Sequence, residues 1–175
     1  KYARIVQMGT QQRSRTHYQL AVDVIRSGKL GEISEVKVWD YENWWPGRGW
    51  PDDCPPPKEL DWDFYVGPAP MCDYNPNIYD NYGYDWFKLS GGGHQVAWGV
   101  HHFDIVLWAM NVRAPVTVSA VGGNYAFEDN RQWPNTLTGI AQFGPGPVAK
   151  HGFVLNYDMR IGCRRHRRAH AKCFL

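Results

Sequence analysis

Cysteine is sparse in this 175-residue chain, and its four copies, Cys54, Cys72, Cys163 and Cys173, form no Cys-x-x-Cys pair. That spacing excludes the common zinc modules and offers no disulfide framework, so a reduced, cytoplasmic protein is the expectation. There is no run of about 18 apolar residues to span a membrane and no Asn-x-Ser/Thr sequon. No signal peptide is recognisable, but the start at Lys1 reads as internal, so an exported parent with a targeting segment upstream stays open. Charge of one sign is also lacking. Nineteen Lys and Arg stand against 17 Asp and Glu, a net +2 that favours no polyanionic partner.

Two motifs are present in letters only. Gly144-Pro145-Gly146-Pro147-Val148-Ala149 spells the dinucleotide fingerprint, yet its prolines remove amides that should meet a pyrophosphate, and His151-Gly152-Phe153-Val154 opens a strand. A hairpin turn is expected there. Arg164-Arg165-His166-Arg167-Arg168 lies in a tail, residues 150–175, with seven Lys or Arg and one acid. No helix-turn-helix or aromatic-basic sheet pattern accompanies it, so neither nucleic acid nor membrane is expected as a partner.

What is abundant is aromatic and glycine. Trp44, Trp45 and Trp50 sit in a proline-rich loop from Glu42 to Pro57, and Asp73 to Lys88 carries Tyr74, Tyr79, Tyr82, Tyr84, Trp86 and Phe87. Loops of this length are usually functional, and aromatic faces suit either a sugar or a protein interface. Gly91-Gly92-Gly93 then turns the chain into an apolar stretch of helical length reaching Trp108. On such a helix Ala97, His101, Asp104, Ile105 and Trp108 share a face. His101 is suited to proton transfer near neutral pH, and Asp104 one turn later would orient it; a histidine and acid paired for packing alone is the alternative. A metal on His94, His101, His102 and Asp104 is not expected, because His101 and His102 point about 100° apart on a helix.

The rest of the chain alternates. Arg4 to Met8 reads as a short strand; Ser14 is a helix N-cap, Tyr18, Ala21, Val22 and Ile25 recur at helical spacing, and Gly28 supplies the stop. Ile33, Val36 and Val38 mark a strand over Glu32–Tyr41, and Asp61 caps a short helix through Tyr65. Val116–Val121, Leu137–Phe143 and Gly152–Met159 are strands between turn residues. The pattern predicts an α+β fold: an open, mainly antiparallel β-sheet with helices packed on one face.

The glycine turn with Trp98-Gly99-Val100-His101, Asp104 and Trp108 resembles the corresponding helix of the glucose-fructose oxidoreductase, inositol dehydrogenase and rhizopine-catabolism (Gfo/Idh/MocA) family. Val6–Ser14, Ile25–Gly31 and Leu60–Pro70 match the family in the same order, so the resemblance covers most of residues 5–110. It implies the second domain of an NAD(P)-dependent oxidoreductase. Residues 1–12 would be a remnant of the last strand and loop of a nucleotide-binding domain. Residues 13–175 would be a substrate and oligomerisation domain, incomplete at its carboxy end. The resemblance also implies roles. His101 would be the base that takes a proton from a sugar or polyol hydroxyl, with Asp104 supporting it. Gln11, Gln12 and Arg13 would face NAD or NADP. Apart from the resemblance, nearness to the helix of His101 makes Tyr84 and Trp86, with His94, Ala97 and Trp98, candidate walls of a substrate pocket, plain packing being the alternative. The sheet's open face is the candidate surface for a homo-oligomer. Two departures stand out: relatives carry an acid where this chain has Ala97, and their Glu-Lys-Pro segment is absent. A nicotinamide-assisted glycoside hydrolase and a non-catalytic carbohydrate-binding or oligomerising fragment therefore stay open as alternatives.

Overall fold

A computed structural model describes residues 2–43, 47–79, 83–163 and 170–174, the side chains of Tyr84 and of 170–174 excepted. Trp44, Trp45, Tyr82 and the arginine run at 164–168 lie outside the described residues.

Five strands build one mixed sheet: β1 (Glu35–Tyr41), β2 (Thr117–Gly123), β3 (Thr136–Phe143), β4 (Phe153–Arg160) and β5 (His170–Phe174). Their spatial order is β2-β3-β4-β1-β5. Only β1 and β4 run parallel; the other three pairings are antiparallel, as the alternating pattern predicts. Period-two alternation sorts the side chains. Val36 and Val38 of β1 lie opposite Leu155 and Tyr157 of β4 and are buried with them, while Glu35, Lys37, Asn156 and Asp158 take the other face.

The buried face is covered by α1 (Thr16–Arg26) and α5 (Gly99–Met110), which pack on each other, and by the short helices α2 (Trp62–Val66), α3 (Pro76–Tyr79) and α4 (His94–Ala97). Val22 and Ile25 of α1 meet the core beside Val106, Ala109 and Met110 of α5. Each large apolar side chain removed from water contributes roughly 1.5–3 kcal/mol, so this seam holds α1 in place without help from caps. Arg26 closes the other end, its guanidinium donating to the carbonyls of Trp108 and Ala109 where α5 terminates at left-handed Asn111. Asp61 caps α2 as expected, its carboxylate accepting from the amide of Phe64 at 2.9 Å.

Three expectations are corrected. Residues 4–8 form no strand: Ile5 and Val6 stand in solvent, because no strand among the described residues offers them a ladder. Ser14 is not the N-cap of α1. A 3-10 turn over Gln11–Ser14, closed by Arg13 N–H to the Thr10 carbonyl and Arg15 N–H to that of Gln12, draws Ser14 in and leaves Arg15 at the cap. The stretch after the glycines is two helices rather than one. At Trp98 the ladder tightens to an i to i+3 bond, His101 N–H to the Trp98 carbonyl, which separates α4 from α5.

Candidate active site

Gly93 makes the turn possible. It holds φ +80 at the start of α4, and a Cβ there would lie 2.5 Å from the Gln95 side-chain amide. Gly99 has a related role at the start of α5, where the Phe103 ring would sit 2.9 Å from any Cβ. Two backbone positions without side chains thus let α5 begin against the core and carry His101 outward.

His101 is half-buried and lines a cleft of about 960 Å³ between α5 and the segment comprising the 3-10 turn and α1. Gln11, Gln12, Tyr18, Trp98 and His102 share that lining. Trp98 meets the His101 ring edge to face, with centroids 5.8 Å apart. The Nδ1 of His101 is buried and has no hydrogen-bond partner among the described residues. Asp104 does not supply one. Its carboxylate is clamped by Arg13, whose Nε donates to both oxygens at 2.9 and 3.0 Å and whose terminal nitrogen lies 2.6 Å from Oδ1. The Arg13 guanidinium also lies 5.5 Å from the centroid of the Trp108 ring. The carboxylate holds the guanidinium above its ordinary pKa. Asp104 therefore orients Arg13 and ties the 3-10 turn to α5, which is a different task from orienting the histidine.

The remaining expected pocket residues separate. Trp98 reaches the cleft, whereas Trp86, His94 and Ala97 do not line it. The side chain of Tyr84 lies outside the described residues. Trp86 and His94 are fully buried and stacked nearly parallel, 5.5 Å between centroids, on the inner side of the glycine turn. His94 Nε2 is 2.9 Å from Oδ2 of Asp40 and 3.9 Å from Oε2 of Glu42. Asp85 is buried nearby. Burial raises its pKa, and the charges of His94 and Arg48 offset part of that rise. Tyr157, on the same sheet face, has its phenol pushed above the ordinary range by burial and then by Asp40 and Glu42. The sequence reading missed Asp40 and Glu42. Their signal was available: they continue the inward phase of Val36 and Val38, where a carboxylate requires a partner.

No family model matches the chain, and no curated protein does. Solved structures do. An oxidoreductase from Thermotoga maritima superposes with a TM-score of 0.59 at 15% identity, over 95% of this chain and 39% of that one. The WlbA dehydrogenase of Bordetella pertussis, in complex with NADH and UDP-GlcNAcA, gives 0.57 at 13%, over 93% and 37%. The fold is that of the second domain of Gfo/Idh/MocA-type oxidoreductases. A super-repressor mutant of Gal80p from Saccharomyces cerevisiae has the Gfo/Idh/MocA-type fold too, at TM-score 0.55 and 12% identity, over 95% of this chain and 37% of that one. The chain thus spans less than two fifths of these proteins. The Gfo/Idh/MocA-type fold serves oxidoreductases and a repressor alike, so function must be argued from the site. Among the described residues, no helix is long and apolar enough to cross a membrane.

Proposed function

We propose that residues 13–175 form the substrate-side domain of an NAD(P)-dependent oxidoreductase acting on a hydroxyl of a sugar or polyol. Residues 1–12 would be the tail of its nucleotide-binding domain. The observation that carries this reading is His101, half-exposed on the wall of an open cleft with Gln11 and Gln12 opposite. Its Nδ1 is shielded, which leaves Nε2 as the nitrogen that meets a substrate hydroxyl and takes its proton.

The fit to a dinucleotide is partial. The glycine turn opens only the single turn of α4, beside Asp40 and Glu42, where a pyrophosphate would be repelled. The cleft offers the side-chain amides of Gln11 and Gln12, the imidazoles of His17, His101 and His102, and Arg15; the amides and His101 suit the nicotinamide end. Bound there, NAD(P) supplies the hydride acceptor. This chain's residues position the alcohol, hold its proton on His101 and, through the Arg13–Asp104 clamp, keep the cleft's two walls in register. Trp98 and Tyr18 give the flat apolar surface on which a sugar ring packs. NADH bound to the WlbA dehydrogenase supports the cofactor class.

The test is His101→Asn in the full-length protein, with alcohol-dependent reduction of NAD(P) as the readout. Turnover should fall by roughly 10²- to 10⁴-fold, the range for removal of a general base, with a smaller change in KM. Unchanged turnover would remove the chemical centre of the proposal. Ala97, where relatives carry an acid, keeps a nicotinamide-assisted glycosidase as the second reading. Release of free sugar without net cofactor reduction would select it.

A further inference from the structure

The cluster on the inner side of the glycine turn lies apart from the cleft and is independent of the redox reading. It joins two rigid supports. Asp40 sits in β1 between Met159 and His170 on the flanking strands. The Glu42 backbone is held by its N–H to the Arg160 carbonyl and by its carbonyl to the Cys163 N–H. His94 opens α4 and is pinned under the Trp86 ring. Asp40 and His94 have no exposed side-chain surface, and Glu42 keeps 16%.

One ligand-type atom from each of Asp40, Glu42 and His94 falls within 4.8 Å of the other two. A tetrahedral shell with bonds of about 2.0–2.2 Å has edges of roughly 3.4 Å. The observed His94 separations of 2.9 Å and 3.9 Å bracket that edge. Tyr157 lies on the same inward sheet face, opposite Val38 two residues before Asp40, and its buried hydroxyl has no hydrogen-bond partner among the described residues. One imidazole with two carboxylates is a borderline donor set, suited to first-row transition metals.

We propose that Asp40, Glu42 and His94 form a binding site for a divalent transition-metal cation such as Zn²⁺ or Mn²⁺. A bound cation would link α4 to β1 through His94 and Asp40, whose Nε2 and Oδ2 lie 2.9 Å apart. The cation would then fix the glycine turn to the sheet and, through it, the start of α5 that carries His101.

The experiment uses the protein stripped with chelator and titrated calorimetrically with Zn²⁺ and Mn²⁺, with Mg²⁺ as the hard-cation control. One equivalent should bind, with a heat that depends on buffer ionisation and a higher Tm. His94→Gln should weaken binding by more than the roughly 10- to 100-fold that loss of an outer partner costs. Glu42→Gln, at the partly exposed rim, should do likewise with the far-ultraviolet circular dichroism spectrum unchanged, which covers the case in which His94→Gln fails to fold. No binding by the parent protein overturns the proposal. So does binding that survives Glu42→Gln undiminished, which would place the ion on exposed histidines.

Discussion

Arg13 and Asp104 stand 91 residues apart, and their clamp is the clearest instance of a residue whose task the fold reassigned. The sequence placed Asp104 one helical turn from His101; space placed a guanidinium closer. Because Arg13 is 45% exposed, solvent screens the pair and its coupling should be modest, about 1 kcal/mol in a double-mutant cycle of Arg13→Ala and Asp104→Ala followed by urea denaturation. Asp129 is the opposite case. Its carboxylate is buried, accepts from Arg131 Nε at 2.6 Å and from the Arg48 amide at 3.0 Å, and Arg131 is sandwiched between Trp86 and Phe127. Burial alone would raise its pKa, but the Arg131 and Arg48 contacts outweigh that and hold it below the ordinary value. With the folded value depressed, the pair's stabilisation is complete above the unfolded pKa of about 4 and lost as pH falls through the folded one. Asp129→Asn should therefore cost about 3 kcal/mol at pH 7, by leaving a buried cation unpaired, and the gap from the parent protein should narrow as pH falls below about 4 in acid-dependent thermal melts.

At the level of elements, the joint between α4 and α5 decides where both histidines point. Gly93 at φ +80 and the tight turn at Trp98 send His94 inward to Asp40 and leave His101 on the cleft. Gly93→Ala forces a side chain into a left-handed conformation and against Gln95; a loss of roughly 1–2 kcal/mol is expected, measured by chemical denaturation. If Gly93→Ala leaves stability unchanged, the turn is not where the strain sits. Strands were the most legible elements, since β-branched alternation survives whatever packs on it: β2, β3 and β4 fall within two residues of their predicted bounds. Residues 4–8 share that composition and form nothing, because a strand is completed by its neighbour. In the second aromatic loop Trp86, for which a pocket wall and plain packing were both open, went to the core with Phe87, where large rings bury the most area.

For the whole molecule, the sheet's uncovered face bears on assembly. Val121, Ile140 and Val154 are exposed there, on three adjacent strands, with Thr138 and Asn156 between them. A homo-oligomer through this face is proposed, and Ile140→Lys should shift the sedimentation coefficient toward the monomer; a parent protein that already sediments as a monomer would defeat it. The amino-acid sequence alone determined the α+β class, the segments of β1 to β4, the glycine turn and the histidine after it, because periodicity and turn chemistry are local properties. It could not determine which charges meet. Arg13 with Asp104 and His94 with Asp40 are contacts between residues far apart in the chain, set by how α1 and α5 pack and by where β1 ends, and such pairings exist only once the core has closed.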